Sequence, residues 1–324
     1  MRDGYGREIN YLRISVTDKC NLRCRYCMPA VGVPTLPRSE VLTLEELARV
    51  AGVMAGLGLK KVRLTGGEPL VRNNVTALLR RLHEREGIMR LALTTNGILL
   101  KKLLPELVAA GLDAVNISLD TLDAGIFRQI TGSDGLEDVL EGMEAAWDGG
   151  LSVKLNCVPC RELNPGEPVR LAGIARDRAI DVRFIELMPI GQGRLFTGVP
   201  SEELLGQLSE VYGPAHPLPY SSGEGPAQYY AFDGFSGRIG FISPITHRFC
   251  ADCNRLRLTA EGRLKLCLYY SDGIDLRPLL RRGASDDELR AAIAQALRQK
   301  PREHCFGGTD GPATERRRMD QIGG

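Results

Sequence analysis

The sequence has almost no net charge, no long hydrophobic run and no apolar leader. Its formal net charge is +2 over 324 residues, which gives no case for a nucleic-acid surface. No run reaches the roughly 18 apolar residues of a membrane span, so we expect no membrane association. The first residues, Met-Arg-Asp-Gly-Tyr-Gly-Arg-Glu, contain no apolar segment, which predicts a cytoplasmic protein.

Cysteine, by contrast, is abundant. Nine cysteines in a chain without an export signal argue against a disulfide framework, because disulfides persist in oxidising compartments. They fit metal chemistry in a reducing compartment. The apolar fraction of 43% and the charged fraction of 25% are typical of a globular protein.

Short apolar runs alternate with helical patterns over the first part of the chain. The runs are rich in Val, Ile or Leu, as expected for strands that are buried on both faces. One helix is predicted to begin with a capping box formed by Thr43 and Glu46. Six such strand–helix units predict an α/β fold with a parallel sheet. A closed barrel requires eight units, so we predict a partial (βα)6 barrel. The predicted strands are residues 12–16, 62–65, 91–94, 114–119, 153–158 and 182–187.

The pattern changes near residue 190. Glycine and proline cluster at 189–200 and again at 213–226, which predicts a linker and loops. Short alternating runs after residue 229 and a helix near 286–298 predict a smaller, mostly antiparallel α+β module. We therefore predict a barrel domain of residues 1–190 and a C-terminal domain of residues 191–324.

Three cysteines follow the first predicted strand with the spacing C-x3-C-x2-C: Cys20, Cys24 and Cys27. Three thiolates can hold three irons of a 4Fe–4S cubane and leave the fourth iron open. A zinc site usually closes four ligands, so we favour the cluster over zinc or unrelated core cysteines. The spacing, with an aromatic residue before the third cysteine, resembles the radical S-adenosylmethionine (SAM) enzymes. In those enzymes the open iron binds SAM.

A second set of three cysteines has the spacing C-x2-C-x13-C: Cys250, Cys253 and Cys267. A zinc site there would recruit His247, Asp252 or Cys305 as its fourth ligand. A second 4Fe–4S cluster would leave one iron free for substrate. The chemistry of the second set alone permits both, and the presence of a first cluster favours a second one.

Polar and cationic residues recur on the predicted strands and at their ends. Gly66 and Gly67 permit a close backbone approach to a ligand, although Gly-Gly-Glu-Pro is also an ordinary turn. Arg255 and Arg257 alternate onto one strand face beside Cys253, which suggests a phosphate site or a solvated face. Burial of polar groups in a hydrophobic core is costly, so the recurrence of polar residues on successive predicted strands predicts a shared polar pocket. Further members are Arg13, Lys61, Arg63, Thr94, Asn116, Ser118, Lys154, Asn156, Arg183 and Glu186.

Taken together, the motifs resemble the GTP 3′,8-cyclase family of molybdenum cofactor biosynthesis, a branch of the radical SAM superfamily. The resemblance covers nearly the whole chain. Besides the two cysteine sets, it rests on Leu-Arg-Ile-Ser-Val-Thr-Asp-Lys before the first cysteine, Arg-Leu-Thr-Gly-Gly-Glu-Pro-Leu, Thr-Thr-Asn-Gly, Asn-Ile-Ser-Leu-Asp, Arg-Phe-Ile-Glu-Leu-Met-Pro and the terminal Gly-Gly.

The resemblance implies a lyase that converts GTP to 3′,8-cyclo-7,8-dihydro-GTP with two 4Fe–4S clusters and SAM. It also implies that the C-terminal module covers the open side of the barrel. The implied partners are GTP as substrate, a downstream cyclic pyranopterin monophosphate synthase, an electron donor and a homodimer.

The resemblance further assigns roles residue by residue. The cluster ligands are Cys20, Cys24, Cys27, Cys250, Cys253 and Cys267. The SAM contacts are Tyr26, Gly67, Ser118 and Met188. The GTP contacts are Arg13, Arg63, Thr94, Lys154, Arg255, Leu256 and Arg257. The catalytic residues are Arg13, Arg255, Arg257, Gly323 and Gly324. The tail is expected to enter the pocket instead of fraying.

Some features of the sequence permit more than one interpretation. Only one of Lys61 and Arg63 is expected to face the substrate. Cys157 and Cys160 do not open a thioredoxin-like unit, so a structural role is favoured over a redox role. Two other functions fit the cysteines: a radical SAM enzyme that acts on another substrate such as a peptide, and an electron carrier or zinc-stabilised binding module.

Overall fold

One twelve-stranded sheet forms the centre of the described part of the chain. The computed structural model describes residues 1–29, 31–219, 225–306 and 314–323. The strand order is β12-β11-β10-β1-β2-β3-β4-β5-β6-β9-β8-β7. The strands are β1 Tyr11–Ser15, β2 Lys61–Thr65, β3 Arg90–Thr95, β4 Ala114–Ser118, β5 Ser152–Cys157, β6 Asp181–Ile185, β7 Ala215–Pro217, β8 Gln228–Phe232, β9 Ile239–Ile242, β10 Arg255–Leu258, β11 Arg263–Lys265 and β12 Gly273–Asp275.

The middle of this sheet is parallel. Neighbouring strands pair in parallel from β10 through β1 and β6 to β9, and the outer pairs are antiparallel. The helices are α1 Leu44–Ala55, α2 Val75–His83, α3 Leu100–Ala109, α4 Ala124–Thr131, α5 Leu136–Asp148, α6 Glu167–Ala172, α7 Ile174–Asp177, α8 Ser201–Tyr212, α9 Arg277–Arg281, α10 Asp286–Leu297 and α11 Met319–Ile322. Within the described ranges, no helix is long and apolar enough to cross a bilayer.

Alternation along each strand separates the core from the site. On β2, Val62 and Leu64 are fully buried in the large hydrophobic core, whereas Arg63 lines a cavity on the other face. The predicted capping box is present at the start of α1. The Glu46 amide donates to Thr43 Oγ1 at 3.1 Å, and the Thr43 amide donates to Glu46 Oε2 at 2.7 Å.

The α/β class, the parallel barrel-like sheet and all six predicted strands are confirmed, with bounds that agree within two residues. The linker prediction was wrong at α8, Ser201–Tyr212, where Leu204 and Leu208 pack into the core at helical spacing. Between β5 and β6, the short helices α6 and α7 meet at Gly173. Helix α4 was not predicted, although Asp123 caps its start and Gly132 ends it.

The C-terminal strands do not form a separate sheet. β10 pairs in parallel with β1, and β9 pairs in parallel with β6, so the strands on both sides of residue 190 belong to one sheet. The pairings β10–β11 and β8–β9 are antiparallel, as expected for the module. Sequence alternation predicted these strands but gives no information about their distant partners. The domain boundary at residue 190 stays a prediction.

Candidate functional site

A single cavity of about 330 Å³ is lined by both cysteine sets. It extends along the parallel strands, from their carboxyl ends, where the first set follows β1, to their amino ends, where Cys250 and Cys253 precede β10. Its walls contain all six predicted cluster cysteines: Cys20, Cys24, Cys27, Cys250, Cys253 and Cys267. All six are half-buried and free. The structure therefore brings together two sets that lie more than 200 positions apart in the sequence.

Helix α4 supports the loop that carries the first set. The Arg23 and Arg25 amides donate to the carbonyls of Thr131 and Ile130 at 2.8 and 3.0 Å. Within the loop, the Cys27 amide donates to the Cys24 carbonyl at 2.8 Å, which forms a tight turn. Burial raises the pKa of Cys24 and of Cys27, the latter to about 12. A neighbouring positive charge, such as iron, is therefore needed for the thiolate form.

The two glycines after β2 are required by the neighbouring backbone. A Cβ atom on Gly67 would lie 2.5 Å from the Lys19 carbonyl oxygen, and one on Gly66 would lie 2.5 Å from that of Thr17. The Gly67 amide donates to the Thr17 carbonyl at 2.9 Å. These contacts fix the segment against the start of the cysteine loop, and both glycines still line the cavity.

Glu68 has a structural role that the motif did not reveal. Its carboxylate is buried and accepts hydrogen bonds from the Leu70 amide, the Thr95 hydroxyl and the Asn96 amide at 2.9, 2.8 and 2.7 Å. Burial raises the pKa of Glu68 to about 7, and these hydrogen bonds act in the opposite direction. The carboxylate thus connects the ends of β2 and β3.

The four predicted SAM contacts line the same cavity: Tyr26, Gly67, Ser118 and Met188. The Tyr26 hydroxyl donates to Asp120 Oδ2 at 2.6 Å, which fixes its ring beside the cysteine loop. Burial raises the pKa of Asp120 to about 6, and the hydrogen bond from Tyr26 acts against that change. Ser118 ends β4.

Cationic side chains from β1 and β2 surround one phenol ring. The charged groups of Lys61, Arg13 and Arg63 lie 5.0, 5.8 and 5.9 Å from the centre of the Tyr11 ring. Arg63 donates to the Tyr11 hydroxyl and to Thr94 Oγ1. Among the described residues, the buried Arg13 Nε has no hydrogen-bond partner. An unpaired guanidinium donor in a cavity indicates an anionic ligand.

The expectation that only one of Lys61 and Arg63 faces the cavity was wrong, because both line it. The two residues are two positions apart on β2, and side chains at that spacing share a face of the sheet. Arg183 on β6 lines the cavity as well and is held by Asn156, whose Oδ1 accepts from its Nε at 3.0 Å. Strand position had suggested Arg183, which is also the first residue of the Arg-Phe-Ile-Glu-Leu-Met-Pro motif.

Lys154 lies outside the cavity of the cysteines. It lines an adjoining basic cavity with Trp147 and Arg90, and it forms an ion pair with Asp181 at 2.9 Å. Lys61, Arg63, Asn116 and Arg183 line both cavities. The two spaces therefore adjoin along one row of cations.

The second cysteine set lies at the start of β10 and after β11. Burial alone would raise the pKa of Cys253. The positive charges of Arg255 and Lys300 and hydrogen bonds from Arg255 outweigh this effect and lower the pKa to about 6. The three residues considered as a fourth zinc ligand are all exposed: His247, Asp252 and Cys305. In the described ranges, no three His, Cys, Asp or Glu side chains are close enough to hold a single metal ion.

This donor set fits an iron–sulfur cubane better than zinc. A cubane takes one thiolate at each of several separate irons, whereas zinc requires its ligands around one ion. Each set supplies sulfur donors alone on one wall of the cavity, and all are free thiols. Soft sulfur donors suit iron–sulfur clusters.

The tail reaches the cavity, where Met319 and Asp320 line the wall. Arg257 is 9% exposed and donates to the carbonyl oxygen of Gly323. Gly323 adopts φ = +77°, and a Cβ atom there would lie 2.9 Å from Thr65 Oγ1. Gly324 lies outside the described residues. Leu256 differs from its neighbours on β10, because its side chain is 1% exposed and belongs to the hydrophobic core.

The Cys157 and Cys160 thiols are both buried and free. The Asn164 amide contacts the Cys157 sulfur at 3.7 Å, and the Cys160 thiol donates to Glu162 at 3.1 Å. Cys157 packs into the main core.

Comparisons with known proteins agree with this geometry. The Radical SAM superfamily matches residues 14–173, and the Molybdenum Cofactor Synthesis C family matches residues 180–306. The structure of Streptococcus suis SuiB bound to S-adenosylmethionine has a TM-score of 0.61 and 15% identity, and the match covers 92% of this chain and 73% of that one. At this identity the likeness concerns the fold alone. Fold and site define a radical SAM protein.

Full-length relatives define the family within that class. The GTP 3′,8-cyclases of Moorella thermoacetica and Pelotomaculum thermopropionicum are each 48% identical to this chain, and that of Clostridium perfringens is 44% identical. Each of these matches covers 100% of both sequences. The chain belongs to the GTP 3′,8-cyclase family.

Proposed function

We propose that this protein is a GTP 3′,8-cyclase that uses SAM and two 4Fe–4S clusters in the first step of molybdenum cofactor biosynthesis. The observation that carries the proposal is one cavity that is lined by both cysteine sets and by several cationic side chains. Relatives of that name match over the full length and support the assignment.

The two cysteine sets would hold the clusters: Cys20, Cys24 and Cys27 the first, and Cys250, Cys253 and Cys267 the second. The first cluster and SAM, when bound, supply the one-electron chemistry that starts the reaction on GTP, and the protein supplies orientation and water exclusion. Three thiolates for each cluster leave one coordination position free for SAM or GTP.

Four residues would contact SAM beside the first set: Tyr26, Gly67, Ser118 and Met188. The hydrogen bond from Tyr26 to Asp120 supports this role, because it holds the ring at the wall of the cavity. Gly67 lines the cavity, and its lack of a side chain permits the close approach of the Lys19 carbonyl, which keeps the segment beside the first set.

The cations would bind the triphosphate of GTP. Arg13, Arg63, Arg255 and Arg257 line the cavity of the cysteines, and Lys61 and Arg183 continue into the adjoining one. A triphosphate that extends along this row reaches Lys154 at its far end. Thr94 lies beside Arg63, and Leu256 would contribute through its backbone. Each charge-assisted hydrogen bond contributes about 1.5–3 kcal/mol.

The tail would act through Arg257. Gly323 accepts a hydrogen bond from this guanidinium, and its lack of a side chain permits the close approach to Thr65. We therefore place Gly323, and Gly324 beyond it, among the residues that hold GTP for cyclisation.

The proposal extends to partners and location. An electron donor has to reduce the first cluster, and a cyclic pyranopterin monophosphate synthase would consume the product. A reducing cytoplasm suits nine free cysteines. A homodimer is part of the same proposal.

Anaerobic reconstitution followed by mass analysis of the products from GTP and SAM tests the function. We expect about eight irons per chain and 3′,8-cyclo-7,8-dihydro-GTP formed in step with cleavage of SAM. The matched control is the Cys253→Ala variant, which should retain the first cluster but form no cyclic product. Zinc in place of iron, or SAM cleavage without any reaction of GTP, would contradict the proposal.

A further inference from the structure

A buried lysine lies between the strands that carry the second cysteine set. Lys300 is 3% exposed, and its Nζ donates to the carbonyls of Arg255, at 3.0 Å, and Leu266. One carbonyl follows Cys253 by two positions, and the other immediately precedes Cys267. Burial lowers the pKa of Lys300, and the neighbouring Cys253 and Cys267 act in the opposite direction. A buried ammonium is costly unless it faces negative charge, so this position indicates a negatively charged neighbour.

A buried histidine faces the same cavity with an unused donor. His304 is 5% exposed and lines the cavity together with Cys250. Its Nδ1 accepts from the Phe306 amide at 3.3 Å, which places the proton of the neutral ring on Nε2. Among the described residues, His304 Nε2 has no partner with hydrogen-bond geometry, although the Pro244 carbonyl is close to the ring. An unsatisfied buried donor is costly, so an acceptor is expected.

Arg7 fixes the segment that carries these two residues. Its Nη1 donates to the carbonyls of Cys250 and Arg302 at 2.8 and 2.7 Å, and its Nη2 donates to the Pro301 carbonyl at 2.6 Å. The ion pair with Asp3 at 2.6 Å orients the guanidinium. Segment 300–304 is therefore attached to the backbone of a cluster cysteine.

We propose that Lys300 and His304 form the outer shell of the second cluster. Lys300 offsets the negative charge of the cluster, and His304 Nε2–H donates a hydrogen bond to an acceptor at its open side. That acceptor is a sulfur of the cluster or an atom of the GTP bound there. The inference rests on the proposed function, because it requires a second 4Fe–4S cluster. Charge and hydrogen bonds near the sulfurs set the reduction potential of such a cluster.

The test measures the midpoint potential of the second cluster in the whole, anaerobically reconstituted chain. A Cys24→Ala background removes the signal of the first cluster. We expect Lys300→Met and His304→Phe to shift the potential to more negative values. Lys300→Arg and His304→Gln should restore it in part, because they return the charge or an amide donor. The matched control is Arg302→Met, which removes an exposed charge from the same segment.

GTP affinity distinguishes the two acceptors of His304. If the acceptor is GTP, His304→Phe should leave the potential unchanged and weaken GTP binding about three- to tenfold, with partial rescue by Gln. Iron content equal to that of the parent shows that a variant has folded. If Lys300→Met does not assemble the second cluster, the midpoint potentials and GTP affinities of Lys300→Arg and of the His304 variants test the proposal in its place.

Failure of this inference can be distinguished from failure of the proposed function. If the Lys300 and His304 variants have the same midpoint potential and GTP affinity as Arg302→Met, the proposed outer-shell role is wrong and the proposed function is unaffected. A parent chain without a second cluster overturns the proposed function before any variant is made.

Discussion

The guanidinium of Arg257 on β10 donates a hydrogen bond to the carbonyl of Gly323, 66 positions further along the chain. The tail that ends the sequence is thus attached to a strand next to the second cysteine set. Asp320 and Ile322 are buried beside it, so the described part of the tail is not frayed.

Deleting Gly323 and Gly324 should abolish cyclisation of GTP while both clusters assemble and SAM still binds. The deletion removes the partner of Arg257 and the contact with Thr65. Iron content, SAM binding and product formation are measured on the same sample. Gly323→Ala should weaken cyclisation in the same direction, because alanine is strained at φ = +77°. A truncated chain that forms product at the normal rate would show the tail to be dispensable.

Cys24→Ala and Cys253→Ala should separate the two cysteine sets. Cys24→Ala should eliminate SAM cleavage, because the first cluster loses one of its three ligands. Cys253→Ala should leave the first cluster in place and lose the positioning of GTP. Formation of 5′-deoxyadenosine and affinity for GTP are the two measurements. Normal GTP affinity and cyclisation in Cys253→Ala would remove the second set from the substrate site.

Arg255→Ala and Arg257→Ala should each weaken GTP binding more than guanosine binding. The loss of a charge-assisted hydrogen bond of about 1.5–3 kcal/mol corresponds to one to two decades in affinity. The dissociation constants of both ligands are compared by calorimetry, with Arg263→Ala as a control on the neighbouring strand. Equal losses for GTP and guanosine would mean that neither arginine contacts a phosphate.

Tyr11 should make stability depend on pH. Burial raises the pKa of Tyr11, but the charges of Arg63, Arg13 and Lys61 outweigh that effect and lower it to about 6, from 10.0. Between these two values the unfolded chain binds a proton that the folded chain does not, so stability due to this group rises with pH. It is lost as the pH falls through about 6.

Urea unfolding of the wild type and of Tyr11→Phe from pH 6 to pH 9 measures this contribution. The stability difference between the two proteins should grow with pH, and the ultraviolet absorbance of a phenolate should appear in the folded wild type alone. If the stability difference between the two proteins stays constant over this pH range and no phenolate signal appears, Tyr11 is uncharged in the folded protein.

Trp147, the single tryptophan, should report on the adjoining basic cavity. If the triphosphate extends along the row of cations to Lys154, GTP should change the fluorescence of Trp147 and guanosine should not. Lys154→Met should reduce the change. An identical response to GTP and guanosine would mean that the phosphates do not reach this cavity.

The sequence predicted those features that depend on local patterns. Runs of Val, Ile and Leu located the six strands, and the cysteine spacing located both walls of the cavity. Helices α8 and α4 were among those missed, because the Gly and Pro around α8 and the short length of α4 concealed their periodicity. The pairing of β10 with β1 depends on contacts between distant residues, and no local pattern encodes it.

The site was predicted unevenly for the same reason. Lys154 carries the right charge on the right strand, but its depth along β5 places it in the adjoining cavity. Lys61 and Arg63 were wrongly separated, although their spacing already predicted a shared face. Lys300 and His304 are isolated residues in the sequence, and only the fold places them beside the second cysteine set.

The pairing of β1 with β10 limits how the two cysteine sets can move relative to each other. The first cysteine set follows β1, the second set surrounds the start of β10, and Arg13 lies opposite Arg257 in the register between them. A hinged lid that separated the two sets would have to break the parallel backbone hydrogen bonds of that pair. The two loops that carry the cysteine sets are therefore connected through one hydrogen-bonded strand pair, and a hinge motion between them would cost that pairing.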